Sequence, residues 1–496
     1  MATTLKHLLL YIGLLGSSFV AQSQTWPNQT LSDQRLTREQ IRSDFDRFRT
    51  ALQEAHPAMY RYTPRARFDS LFDATAARLN RPMTRHEFYV TLTPLLVALR
   101  DGHIKWLLPG QDEHYPFFTD RLFPLKLYFQ DDKAWVAGSY GADTIPPGAE
   151  VITINDQPVA TVIGKLLANM TFADGTTTTG KYEDLNHFFP GYYATYVGAP
   201  TTYNVTYRTG DTTATRQLPA TSYAAIKTYN EQHKSASQPA HRVVFDDSTQ
   251  TAVMTIERFW TQKNEQKFKT FLAESFRQIR KKGVQHLVLD LRNNEGGEET
   301  YGVWLYQYLA RQPFRYYDHI SVQQKRAYSF PAWIPKVYRL FKWLVVRKRG
   351  NEYVFTKQQG LKRQSPQRDA FSGKLYILIN GGSFSVTTEF AARVHADQRA
   401  LFIGQETGGA YEGNNSGLFA ITQLPYSKID LGIPLFGFYM ANLPAQLLTG
   451  QGIRPDYLVK PTLNDVLIGY DRAMQYTRQL IQTGESAFPK TTATNE

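Results

Sequence analysis

Val284-Gln285-His286-Leu287-Val288-Leu289-Asp290-Leu291 is a near-continuous apolar run. Such a run reads as a strand buried on both faces, as in a parallel sheet covered by helices. Upstream of it, residues 251–256 read as a strand. Residues 263–282 carry Phe268, Phe271, Leu272, Phe276 and Ile279, an amphipathic helix closed by Gly283. Downstream, 375–379 and 401–403 are two more candidate strands, with a helix over 386–395 between them. Strands alternating with helices over 240–482 predict an α/β domain with active residues at the strand C-terminal ends. An insertion at about 312–372 interrupts it. Its apolar residues, among them Trp333, Tyr338, Leu340 and Trp343, read as a helical hairpin packed on the body, or as a substrate lid or membrane-surface helix.

Two upstream regions have a different texture. Over 24–112, capping boxes at Thr37/Gln40 and Thr84/Glu87 open amphipathic helices and predict a small helical domain after a polar leader over 24–36. Pro57 ends the first helix, Pro94 should kink the second, and Gly102 is the expected C-cap residue. Over 116–235 short β-like runs appear at 125–129, 134–137, 150–154 and 203–207. A helix is expected around 159–169, so this reads as a β-rich module with one or two helices.

The start of the chain reads as an export signal over 1–23. Lys6 and His7 precede an apolar run over 8–20, and Ala21-Gln22-Ser23 is a small-x-small cleavage site. The last residues, 483–496, read as a flexible tail. With no cysteine anywhere, disulfides, thiolate catalysis and zinc–thiolate sites are excluded. The net charge of +12 is dispersed, with its densest cluster at Arg347-Lys348-Arg349. Beside an export signal it favours an acidic surface or anionic peptide over nucleic acid.

Three segments carry candidate chemistry. Asp290-Leu291-Arg292-Asn293-Asn294-Glu295-Gly296-Gly297 follows the buried strand, and paired glycines there let backbone N–H groups face a cleft and hold an oxyanion. The alternative is an ordinary strand-to-loop turn. Asn380-Gly381-Gly382-Ser383-Phe384-Ser385-Val386 joins a strand to a helix, so a serine there sits where the helix N-terminus favours negative charge. The competing reading makes Ser383 or Ser385 a helix cap. In Asp101-Gly102-His103 the histidine is either a helix-end surface residue or a general base. No His-Glu-x-x-His and no phosphate-binding glycine motif occurs, so a zincin and a nucleotide-binding enzyme are unsupported. No metal or cofactor is implied.

Taken in order, these segments resemble the C-terminal-processing (tail-specific) peptidase family, which includes tricorn-like and interphotoreceptor retinoid-binding protein-like members. The 290–297 stretch is similar to its Asp-Leu-Arg-x-Asn-x-Gly-Gly motif, and 381–385 to its nucleophile segment. Gly404-Gln405-Glu406-Thr407-Gly408-Gly409 and Gly452-Ile453-Arg454-Pro455-Asp456 are similar to two further motifs. The resemblance implies a ClpP/crotonase-like α/β catalytic domain and a PDZ-like middle module. It implies an exported, periplasmic or extracellular serine peptidase acting on peptide or protein substrates. By position it makes Ser385 the nucleophile and places the oxyanion hole at Gly297 or Gly296 with Val386. The lysine that many members use corresponds to Ala410 here, so His103 takes the role of base, as in tricorn-like members. The orienting acid stays open among Asp101, Glu389 and Glu406. A non-catalytic peptide- or ligand-binding protein on the same fold is the alternative.

Overall fold

The computed structural model describes residues 35–484 except 109, 110, 118, 235, 325 and 445–448. The export signal, most of the leader and nearly all of the tail lie outside the described residues.

The apolar run becomes the strand His286–Asp290, third in a six-stranded sheet. The order is His241–Asp246, Thr251–Ile256, His286–Asp290, Lys374–Ile379, Leu401–Gly404, Tyr457–Leu458. The first pair is antiparallel and the later pairs are parallel. Alternate residues of His286–Asp290 enter different apolar clusters. Leu287 and Leu289 join Phe271 and Phe276 of the helix Phe268–Lys281, whereas Val288 joins Met474 and Leu480 of the helix Arg472–Thr483. Helices on both faces explain why the run has no polar alternation.

The same region also holds a second, antiparallel sheet that the strand–helix alternation did not predict. Its order is Val346–Arg349, Glu352–Phe355, Tyr317–Val322, Asp430–Met440, Asn415–Gln423. Glycines and a proline hid the long strand Asp430–Met440, since Gly432, Pro434 and Gly437 read as breakers. Gly437 is needed for close packing: a Cβ there would lie 2.4 Å from Ser321 Oγ. The insertion is not a helical hairpin. One helix, Lys336–Val345, runs into the β-hairpin Val346–Arg349/Glu352–Phe355, which extends this sheet.

The middle region is an antiparallel sheet in the order Leu125–Gln130, Lys133–Ser139, Glu150–Ile154, Thr202–Thr209, Thr212–Pro219. It carries more helix than expected: Val159–Leu167, Tyr223–Gln232 and Thr179–Tyr196. The last was masked by Gly180, Pro190 and Gly191 and is broken at Phe188, whose backbone leaves helical geometry two residues before the proline. Both expected capping boxes are present, on the helices Arg38–Ala55 and Arg85–Val97, with a further helix at Arg65–Arg78 between them. Gly102 is not the C-cap. The second helix ends at Val97 and the left-handed turn residue is Arg100, with φ 54°. Gly102 instead makes room for Phe384, whose ring would lie 2.5 Å from an added Cβ. Just beyond, Lys105–Leu107 pairs with Asp430–Met440 and fastens the N-terminal region to the second sheet. Among the described residues no helix is long and apolar enough to cross a membrane.

Candidate active site

Two turns at the C-terminal ends of adjacent parallel strands, His286–Asp290 and Lys374–Ile379, meet and build the site. They are clasped together. Ser383 Oγ donates to Leu291 O at 2.9 Å and accepts from the Asn380 amide at 3.1 Å. Phe384 N donates to Asn294 O at 3.1 Å. Ser383 is therefore a fastener between the turns, not a helix cap. Asn294 is fully buried, donating to Ile256 O at 2.8 Å and accepting the Gly296 amide at 2.9 Å.

Ser385 sits at the start of the helix Val386–Ala396 with φ 55° and ψ −127°. A non-glycine residue enters that region at a cost of about 1–3 kcal/mol, usually where function requires it. Its side chain makes no capping bond. Ser385 Oγ lies 2.9 Å from His103 Nε2, joining residues far apart in the chain. The His103 ring is braced by Phe384, with centroids 4.6 Å apart.

Behind the imidazole lies a buried acid cluster. Asp101 Oδ1 accepts the His103 amide at 2.8 Å and stands 3.7 Å from the ring Nδ1. Asp101 Oδ2 is 2.8 Å from His56 Nε2. Burial works to raise the Asp101 carboxyl, but hydrogen bonds and charge from His103 and His56 hold it well below the usual range. A second acid, Asp174, was not anticipated. One oxygen accepts the Gly102 amide at 2.9 Å, while Oδ2, like His103 Nδ1, is buried with no hydrogen-bond partner among the described residues. One donor atom each from Asp101, His103 and Asp174 lie within 4.8 Å of one another. They are the acids and imidazole, among the described residues, grouped closely enough to share a cation. Burial next to the Asp101 charge pushes the Asp174 carboxyl up. In sequence, Asp174-Gly175 reads only as a turn. The helix Thr179–Tyr196 is what delivers it, by packing its start against the 380–385 turn: an added Cβ on Gly381 would lie 2.3 Å from Thr179 O.

The other two candidate acids are engaged elsewhere. Glu389 is buried, accepting Tyr317 Oη at 2.5 Å and Asn414 Nδ2 at 2.8 Å, and burial pushes it up to about 7. Glu406 accepts the Gly452 amide at 2.8 Å. Of the three anion-binding amides anticipated, that of Gly296 is already given to Asn294. The Gly297 and Val386 amides donate to no acceptor among the described residues.

Gly296 has φ 100°, and a Cβ there would lie 2.8 Å from Ser385 Cβ and 2.9 Å from Val386 N. Gly296→Ala should displace the Val386 amide and lower any turnover by about 10²–10³-fold, the range for losing one oxyanion donor. Steady-state kinetics with a circular-dichroism control for folding check this.

Residues 250–459 match the family model described as Peptidase family S41. No curated protein matches the chain. Among solved structures, mature CPAF superposes with a TM-score of 0.60 and 12% identity over 92% of this chain and 99% of its own. Mature CPAF complexed with lactacystin gives 0.61 and 12% over 90% and 98%. At that identity the likeness is one of fold, a mixed α/β architecture of several sheets and helices.

Proposed function

The chain belongs to peptidase family S41 through residues 250–459, and from that premise we propose that it is an exported serine peptidase acting through an acyl-enzyme on Ser385. The observation that carries this is the 2.9 Å approach of His103 Nε2 to the Oγ of a serine held in strained geometry. Neutral His103 takes the Ser385 proton as the hydroxyl attacks a peptide carbonyl. The amides of Gly297 and Val386 receive the oxyanion, each donor worth about 3–4 kcal/mol. The imidazolium then gives its proton to the leaving amine, and water hydrolyses the ester by the reverse route. Ala410 is buried and carries no base, so the histidine replaces a lysine mechanism.

Asp101 fixes the His103 backbone, and His56 anchors Asp101 in turn. Asp101 stands 3.7 Å from Nδ1, and ionised Asp174, in the same cluster, is the further group we assign to supporting the imidazolium. Because its carboxyl is pushed up, it holds a proton above the ordinary range and releases it as pH rises. Wild-type turnover should therefore climb through that ionisation. Asp174→Asn should lose the limb and fall about 10–100-fold at its plateau, read from pH–rate profiles. The sign for stability is opposite: a raised carboxyl stabilises the fold at low pH and loses that contribution as pH rises through its folded value. Melting temperatures of Asp174→Asn should accordingly vary less with pH.

The sheet over Leu125–Pro219 is read as a PDZ-like module that takes up peptide by strand addition at its edge. Reading residues 1–23 as an export signal supports a location in the periplasm or outside the cell. Incubation with a denatured protein substrate and a fluorophosphonate probe tests the whole reading. Peptide bonds should be cut, and the label should map to the peptide containing Ser385; an intact substrate and an unlabelled protein would overturn it.

A further inference from the structure

The helix Lys336–Val345 is anchored on one face and, among the described residues, unpartnered on the other. Tyr338 and Val345 are buried, with the Tyr338 ring edge-on to Phe436 at 5.4 Å. The segment leading into the helix is pinned, because Trp333 pairs through its backbone with Ile421 and Pro331 O accepts Thr422 Oγ1 at 2.8 Å. The hairpin that follows is stitched into the second sheet. This is a fixed element, yet Leu340 is 63% and Trp343 61% exposed, with Trp333 at 52%. Leu340 and Trp343 stand three residues apart and Lys336 four residues before Leu340, so the three share one helix face.

Charge frames this apolar ridge. Lys336, Arg339, Arg347, Lys348 and Arg349 are exposed around it, and no Asp or Glu occurs from residue 326 to 351. None of the five forms an ion pair among the described residues. Tryptophan and leucine flanked by Lys and Arg fit the boundary between lipid headgroups and acyl chains, where apolar area and attraction to anionic lipid add together. A folded acidic partner would need a matching pocket for each protruding ring; a lipid surface needs none.

We propose that the face of Lys336–Val345, with Trp333 and the Arg347–Arg349 strand, docks the enzyme on an anionic phospholipid surface. It lies on the surface without crossing it and leaves the Ser385 site unchanged. The proposal stands apart from the catalytic reading, since binding needs no turnover.

The test is co-sedimentation of the purified protein with vesicles of equal parts phosphatidylglycerol and phosphatidylcholine, against phosphatidylcholine alone. Partitioning should be at least about 10-fold stronger on the anionic vesicles and fall in 0.5 M salt. Charge reversal of Arg347, Lys348 and Arg349 to Glu should cost about fivefold or more per residue. Leu340→Ala with Trp343→Ala should release the protein while leaving its melting temperature and its turnover of a soluble peptide unchanged. Equal binding to both vesicle types, no binding, or binding untouched by either set of variants would overturn the proposal. So would sedimentation equilibrium showing that the alanine pair dissolves a dimer, which would make a second copy the occupant.

Discussion

Replacing Ser385 by alanine is expected to lower peptide hydrolysis by about 10⁴–10⁶-fold, the range seen when a nucleophile is removed from a serine–histidine site. The same variant should take no fluorophosphonate label. Its structural cost should be small, because Ser385 Oγ makes no capping bond and its recorded partner is His103. Alanine inherits the same positive φ, so the turn geometry and the Gly297 and Val386 amides stay in place. Some substrate affinity should therefore survive. Active-site labelling, kcat/KM on a denatured protein and a melting curve, measured together, check the prediction. Turnover persisting at wild-type level would move the nucleophile elsewhere.

His103→Ala is expected to cost nearly as much, about 10⁴-fold or more in kcat, through a different step. The serine remains but has no acceptor for its proton. The diagnostic result is non-additivity: Ser385→Ala combined with His103→Ala should be no slower than either alone, since the two side chains act as one unit. Two independent losses that multiply would show that His103 only shapes the cleft. The truncation also removes the ring stacked on Phe384, so the variant's melting temperature belongs in the comparison.

Legibility of this protein in its sequence followed how local each signal was. The buried strand His286–Asp290, the helix Val386–Ala396 and both capping boxes rest on spacings of a few residues, and all appear in the structure within a residue or three of expectation. The second sheet was illegible because its strands come from distant segments and its longest strand contains residues that ordinarily break strands. The pairing of Ser385 with His103 was reached through family resemblance; at the level of residues each alone looked like a cap or a surface group. Asp174 lay beyond both routes. Its neighbourhood is set by how the kinked helix Thr179–Tyr196 leans on the 380–385 turn, a tertiary fact with no periodicity to announce it.

The short ladder between Lys105–Leu107 and Asp430–Met440 has a consequence for biosynthesis. His103 lies two residues before that ladder, so its imidazole is carried into place by a strand whose partner leaves the ribosome more than three hundred residues later. Until that partner emerges, the His103 segment lacks this pairing, and contacts such as those with Phe384 and Asp174 are left to tie it to the rest of the site. On the catalytic reading proposed above, the complete site is therefore expected only when synthesis is nearly finished.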